Sequence, residues 1–163
     1  MSSALFIRDF APEDLDAVLA LNMHAQNPEA DIPSSIRHYP GLLDIPANFQ
    51  KEGAFVVGVI DGEVVAMGSV VPTDGGVFEM DYIRVAIPQQ RHGYGRAIVR
   101  YLESRVASLQ GRAIMLTTEA ENVPARRLYE SEGYVNSGEV AVFDADGNAY
   151  HPALYRKQLL VLD

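Results

Sequence analysis

The stretch Val77–Arg100, VFEMDYIRVAIPQQRHGYGRAIVR, decides how the rest of the chain is read. Its apolar first part, Val77–Ile87, predicts a strand that Pro88 ends. Gln90-Arg91-His92-Gly93-Tyr94-Gly95-Arg96 follows, and from there the pattern is helical. The start of a helix leaves backbone N–H groups unpaired and carries partial positive charge, so it attracts anions. Gly93 and Gly95 have no Cβ to keep a ligand away from the backbone. Arg91 and Arg96 add full charges. Strand, basic glycine turn and helix together predict a cradle for a diphosphate group.

The turn fits neither of two common phosphate motifs. A dinucleotide fingerprint needs a third glycine where Ile98 stands, and a Walker loop needs a terminal Gly-Lys-Ser/Thr. What remains is Gln90-x-x-Gly93-x-Gly95 between a strand and a helix. This resembles the acyl-CoA-binding motif of the GNAT N-acetyltransferase superfamily, Gln/Arg-x-x-Gly-x-Gly/Ala.

Composition narrows the class. A chain of 163 residues suits one domain, 1–163, with a proper core. With 48% hydrophobic and 21% charged residues, disorder is not expected. The absence of cysteine excludes disulfides, thiolate metal sites and Cys nucleophiles, and makes the cytoplasm the expected compartment. The N-terminus, MSSALFIRDF, does not read as a signal peptide, and no apolar stretch approaches the length of a membrane span. Thirteen basic against 22 acidic residues give a net charge of −9, which disfavours nucleic acid and suits a cationic partner such as an amine.

Around the central stretch the elements fall in order. Leu5–Phe10 predicts a first strand, and Ala11-Pro12-Glu13-Asp14 a helix start followed by Leu15, Val18, Leu19 and Met23 at helical spacing. Residues 26–40, with Pro28, Pro33 and Pro40, read as a long irregular segment, a candidate substrate-side lip, with a short helix after it over Leu42–Phe49. Asp61-Gly62 between Ala54–Ile60 and Glu63–Val71 signals a hairpin, so the middle is an antiparallel meander of three strands. In the central strand Phe78, Met80 and Tyr82 alternate, then Ile83, Val85 and Ile87 alternate in the opposite phase; this suggests a β-bulge, the other option being a strand buried on both faces. The helix from Gly93 carries Ile98, Leu102, Val106 and Leu109 on one stripe and stops at Gly111. Ala113–Thr118 predicts a buried strand, Asn122-Val123-Pro124 opens another helix, and Tyr134–Phe143 and Tyr150–Leu160 predict two last strands. The predicted fold is α/β (α+β): a mixed central sheet of about seven strands, antiparallel in its first half, with a βαβ crossover and helices on both faces.

That element order is similar to the GNAT fold over nearly the whole chain. A second segment, Asn122–Tyr134, NVPARRLYESEGY, resembles the family's Asn-x-x-Ala-x-x-Leu-Tyr-x-x-x-Gly-Phe/Tyr through Asn122, Ala125, Leu128, Tyr129, Gly133 and Tyr134. The resemblance implies an acetyl-CoA-dependent N-acetyltransferase acting on a primary amine of a small molecule or peptide. It implies that the backbone of Ile83, Arg84 and Val85 pairs with the pantetheine arm. Gln90, Arg91, His92, Gly93, Tyr94, Gly95 and Arg96 would hold the pyrophosphate, and Asn122 would contact the pantetheine. The Tyr129 hydroxyl would sit near the CoA sulfur and protonate it. Amine acetylation also gains from a base, because an alkylamine is mostly protonated at neutral pH. Glu79 is the candidate, eleven residues before Gln90, with Asp81 in reserve. No histidine spacing suggests a metal. A non-catalytic acyl-CoA-binding or sensing module on the same fold is the competing reading, and the resemblance leaves a homodimer open.

Overall fold

The computed structural model describes residues 3–160. In chain order the elements are β1 (Phe6–Asp9), α1 (Leu15–His24), α2 (Ile32–Ser35), β2 (Ala54–Ile60), β3 (Glu63–Pro72), β4 (Val77–Val85), α3 (Tyr94–Ser108), β5 (Ala113–Thr118), α4 (Val123–Ser131), β6 (Val135–Glu139), β7 (Val142–Phe143), β8 (Ala149–Tyr150) and β9 (Ala153–Gln158). Seven strands form one sheet in the order β1-β2-β3-β4-β5-β9-β6, and β7 and β8 pair apart from it. The predicted mixed sheet is therefore present. β1 to β4 run antiparallel, and α3 carries the chain over to β5, parallel to β4. In the β2–β3 turn Asp61 and Gly62 have φ of 50° and 80°, the left-handed pair that a tight hairpin requires.

Each face of the sheet buries its own apolar cluster. On one face Ile98, Val99, Leu102 and Val106 of α3 pack with Phe78, Met80, Ile114, Leu116 and Tyr155. On the other, Val18 and Leu21 of α1 pack with Phe10, Leu42, Ile45, Phe49, Phe55 and Met67. Leu109, expected on the stripe of α3, is instead 44% exposed, because the helix ends at Ser108. Gln110, rather than Gly111, takes the left-handed turn there, with φ 64°.

Residues 26–40, expected to be irregular, carry short helical turns, and the short helix expected over Leu42–Phe49 is split into two such turns. α2 is followed by turns at Ile36–His38, Pro40–Asp44 and Pro46–Gln50. Proline lacks an N–H and has a fixed φ, so it suits the first turn of a helix as well as it breaks an interior one. Pro40 and Pro46 stand at such starts. Leu42, Ile45 and Phe49 are buried beneath them and hold the segment to the sheet.

β4 carries a bulge. Met67 pairs with Arg84 and Ser69 with Asp81, so Gly68 alone faces Tyr82 and Ile83. Tyr82 has φ 58°, a left-handed conformation rare for a bulky side chain. The phase slip comes one residue earlier than the alternation suggests. Phe78, Met80, Ile83 and Val85 share the α3 face, whereas Tyr82 joins the opposite cluster, its ring 5.6 Å from that of Phe49. The strand ends at Val85 rather than Ile87, and a short turn covers Ile87–Gln89.

Gly68 marks how closely α3 lies over this bulge. A Cβ there would stand 2.7 Å from both Ile83 Cδ1 and Ile98 Cγ2. We expect Gly68→Ala to destabilise the fold by about 1–3 kcal/mol through overpacking, seen as a Tm lower by several degrees. An unchanged melt would mean that these side chains move aside freely.

Candidate active site

β4 and β5 are joined by only three residue pairs, Val77 with Ala113, Phe78 with Ile114 and Glu79 with Met115. Beyond them the strands part. A cleft of about 510 Å³ lies between the end of β4, the turn before α3, and α4. It is lined by Ile83, Val85, Gln90, Arg91, Gly93, Tyr94, Gly95, Arg96, Asn122 and Tyr129. A smaller recess between the parted strands is lined by Asp81, Tyr82, Ile83, Arg84, Thr117, Thr118, Asn122 and Tyr129 among others. Ile83, Asn122 and Tyr129 border both spaces.

The turn before α3 is held by its own side chains. Gln90 Nε2 donates to the Val85 carbonyl at 2.9 Å, tying the turn to the strand it leaves. His92 Nδ1 lies 2.9 Å from the Gln90 carbonyl; a carbonyl only accepts, so Nδ1 carries the proton. The His92 ring stacks on Tyr94. Arg91 and Gly93 both have left-handed backbone, with φ of 67° and 83°. Gly93 is the N-cap of α3 and has no side chain to cap it, so the first residues of the helix line the cleft with their amides uncapped by any side chain among the described residues. Bare amides at a helix start, next to a glycine pair, fit a diphosphate. The two arginines differ. Arg91 is exposed and makes no ion pair among the described residues. Arg96 lines the cleft, but its Nε lies 2.6 Å from Glu132, which also holds Arg100. His92 lines neither space, and the Arg84 side chain turns toward α1, where its Nε donates to buried Asn22 at 3.2 Å.

Gly93 gives a direct check on the amide cradle. No atom lies within 4 Å of a Cβ built there, so a substitution meets a conformational penalty and no clash. Holding a left-handed L-residue costs about 1–2 kcal/mol, and more for a β-branched one. We expect Gly93→Val to weaken binding of the acetyl-CoA that the sequence resemblance implies about tenfold or more by calorimetry, because binding must restore the strained turn. Gly95→Ala meets only ordinary contacts, 3.5 Å to Leu128 Cδ2 and 3.7 Å to Val85 Cγ2, and should weaken binding far less. Equal affinities for both variants and the parent would remove the turn from the binding site.

Asn122 caps α4, its Oδ1 accepting from the Ala125 N–H at 3.3 Å. Two turns on, Tyr129 is 7% exposed and packs against the rings of Tyr134 and Tyr155. Its hydroxyl has no hydrogen-bond partner among the described residues, yet no fully enclosed side-chain N or O among them is left unpaired. The hydroxyl therefore reaches open space in the cleft. Burial is the main reason its pKa is pushed up to about 12, so it stays a neutral phenol at ordinary pH.

The two candidate carboxylates share one side of β4. Burial, then the charge of Asp81, raises Glu79. Burial raises Asp81 too, against the Tyr82 N–H that donates to its Oδ1 at 2.7 Å and the nearby Arg84. Asp81 keeps a solvent-facing edge but is crowded on its inner side, where it lines the recess with Tyr129. Glu79 lines neither space.

The acetyltransferase (GNAT) family model matches residues 18–134, well over half of the chain. The chain belongs to this family. Three solved structures show the same fold. An acetyltransferase of the GNAT family from Staphylococcus aureus Mu50 is 14% identical, with a TM-score of 0.78 over 96% of this chain and 100% of that one. The ribosomal-protein-S18-alanine N-acetyltransferase of Escherichia coli is 18% identical, with a TM-score of 0.73 over 95% of this chain and 94% of its own. The Salmonella typhimurium protein yncA, solved with its cofactor acetyl-CoA, is 18% identical, with a TM-score of 0.74 over 96% and 94%. No curated protein sequence matches the chain.

In this GNAT chain the two motifs quoted from the sequence meet across one cleft. Gln89, Pro124, Ala125 and Leu128 also line it. Ala125 and Leu128 are matched positions of the second motif, to which the sequence alone assigns no role in the site. Among the described residues no group of three or more acidic or histidine side chains could hold a metal, and no helix is long and apolar enough to cross a membrane.

Proposed function

We propose that this GNAT protein transfers the acetyl group of acetyl-CoA to a primary amine of a small molecule or peptide, by direct attack of the amine on the thioester. The observation that carries this reading is the Tyr129 hydroxyl, unpartnered at the border between the cleft and the recess that holds Asp81. A module that only bound acyl-CoA would have no use for a free phenol beside a carboxylate at that point.

The amides at the start of α3 and Arg91 would hold the diphosphate, and the unpaired edge of β4 from Ile83 to Val85 would take the pantetheine arm. The bound thioester supplies the activated carbonyl. Asp81 or Glu79 takes the proton of the incoming ammonium, since only the neutral amine has a lone pair to form the C–N bond. As the C–S bond breaks, negative charge gathers on sulfur. A phenol near 12 is a weaker acid than a thiol near 8.5, so Tyr129 serves by hydrogen-bonding to the departing sulfur more than by ionising outright.

The test is thiol release from acetyl-CoA with a broad panel of amines, amino acids and peptides. Release with at least one amine is the expected result. Silence across the panel, with acetyl-CoA bound tightly, would turn the reading to a non-catalytic acyl-CoA sensor.

A further inference from the structure

We infer that the acceptor is an α-amino acid, with Arg84 holding its carboxylate in the recess while Asp81 receives its ammonium. This rests on the acetyl-transfer reading and names the substrate class of the same site. The Arg84 side chain, which has no part in holding the cofactor, thereby becomes a specificity-determining residue.

Arg84 and Asp81 both line the recess between the parted strands, about 80 Å³ in volume. The Arg84 side chain turns toward α1, on the face of the sheet opposite to α3 and α4. Three contacts fix its guanidinium there. Nε donates to Oδ1 of the fully buried Asn22 at 3.2 Å, Nη1 donates to the Ile83 carbonyl at 3.2 Å, and the guanidinium carbon lies 6.0 Å from the centre of the Tyr82 ring. All three partners are neutral. Arg8, Arg37, Arg96, Arg100 and Arg105 each hold a carboxylate, whereas the half-buried Arg84 makes no ion pair among the described residues. Asp81 is kept from closing on it. Its Oδ1 accepts from the Tyr82 N–H at 2.7 Å, and its backbone carbonyl accepts from the buried Ser69 hydroxyl at 3.1 Å. Burial raises both Asp81 and the Tyr129 phenol, and the charge of Arg84 acts against that in both, so the guanidinium stands near the reacting groups.

A half-buried guanidinium held only by neutral groups is short of a counter-anion. Asn22 fixes the fork before any ligand arrives, and Nη2 donates to nothing among the described residues, so N–H groups remain for a carboxylate. Two opposite charges, pinned apart at one small recess, complement a molecule that carries both on neighbouring atoms, as the ammonium and carboxylate of an α-amino acid do. A peptide N-terminus has a neutral amide in place of that carboxylate, and a simple alkylamine has nothing there; either would leave Arg84 unanswered. In the reaction the ammonium gives one proton to Asp81, and the neutral amine bonds to the thioester carbon as the C–S bond breaks. The second amine proton passes to the departing sulfur, and the products are the N-acetylamino acid and the CoA thiol.

The test is thiol release by the whole chain with L-alanine, L-leucine, L-phenylalanine, L-lysine and L-glutamate, each against its own α-amide. We expect kcat/KM for the best amino acid to exceed that of its amide by about 10- to 100-fold, the worth of hydrogen bonds to a charged group. The amine of the amide is the less basic and so more often neutral, which biases the comparison against this result. Arg84→Gln should bring the ratio to about one, and Arg84→Lys, which keeps the charge without the fork, to about threefold. The ratio compares two acceptors on one protein, so a general loss of folding or turnover cancels from it. An amide as good as its amino acid, a ratio that survives Arg84→Gln, or acetylation of other amines only, overturns the proposal while leaving acetyl transfer intact. If no amine at all is acetylated, ligand-detected NMR with the same pairs in the presence of CoA decides. An amino acid that binds where its amide does not, with binding lost in Arg84→Gln, keeps the carboxylate site and sinks acetyl transfer. Absent binding, equal binding within every pair, or binding that survives Arg84→Gln sinks the carboxylate site.

Discussion

Tyr129→Phe should lower kcat by about 10²- to 10³-fold, the range expected for losing one hydrogen-bond donor to charge that develops in the transition state. It should leave the affinity for acetyl-CoA nearly unchanged. The hydroxyl has no partner among the described residues, so removing it breaks no hydrogen bond among them, and the phenyl ring keeps its contacts with Tyr134 and Tyr155. A lost rate therefore cannot be ascribed to a damaged fold, and the Tm should stay within about a degree or two of the parent. The effect belongs in kcat and kcat/KM together, because the hydrogen bond to sulfur strengthens only as charge develops there. Turnover by thiol release, a thermal melt and a calorimetric titration with CoA separate the three quantities. Full turnover in the variant would remove Tyr129 from the mechanism and return it to the core as an aromatic packing residue.

Much of the fold was legible because its signals are local. The Asp61-Gly62 turn, the alternation of β2 and β3 and the stripe Ile98, Leu102, Val106 each depend on neighbours within one element. The GNAT motifs were legible because glycines and an N-cap asparagine answer to backbone geometry, which their residue types state directly. What escaped depends on contacts between distant segments. The prolines of 26–40 suggest an irregular run and Leu42–Phe49 one short helix, but Leu42, Ile45 and Phe49 have surfaces of the sheet to cover, and Pro40 and Pro46 start the two separate turns that cover them. The spacing of Tyr82 groups it with Phe78 and Met80. A ring of aromatic neighbours, Tyr39, Phe49 and Phe55, draws it to the other face at the expense of a left-handed backbone. Arg96 read as a free charge for a phosphate; its partner Glu132 lies on the far side of β5 in sequence and is visible only once α3 and α4 are side by side. The β7–β8 hairpin falls at the ends of the two strands that the pattern predicts, Tyr134–Phe143 and Tyr150–Leu160, because two-residue strands leave no periodicity to detect.

The same distinction bears on the base. From spacing alone Glu79 led and Asp81 followed, but the recess between the parted strands is lined by Asp81 and not by Glu79, and Asp81 is close enough for its charge to act on the Tyr129 phenol. We expect Asp81→Asn to lower kcat/KM by about 10²- to 10⁴-fold near neutral pH, the range for loss of a general base. Asparagine keeps an Oδ1 acceptor for the Tyr82 N–H, so the bulge should survive the exchange. The pH profile carries the sharper test. Burial holds the Asp81 carboxyl above its usual range, and a base works only when ionised, so kcat/KM should fall as pH is lowered through that raised pKa, at a higher pH than a free carboxylate would give. Asp81→Asn should abolish this acid limb. Glu79→Gln should leave the limb close to where it stands in the parent, because burial, and not Glu79, raises Asp81. If Glu79→Gln abolishes the limb and Asp81→Asn merely shifts it, the roles are reversed. A limb that survives in both variants places the base elsewhere in the recess.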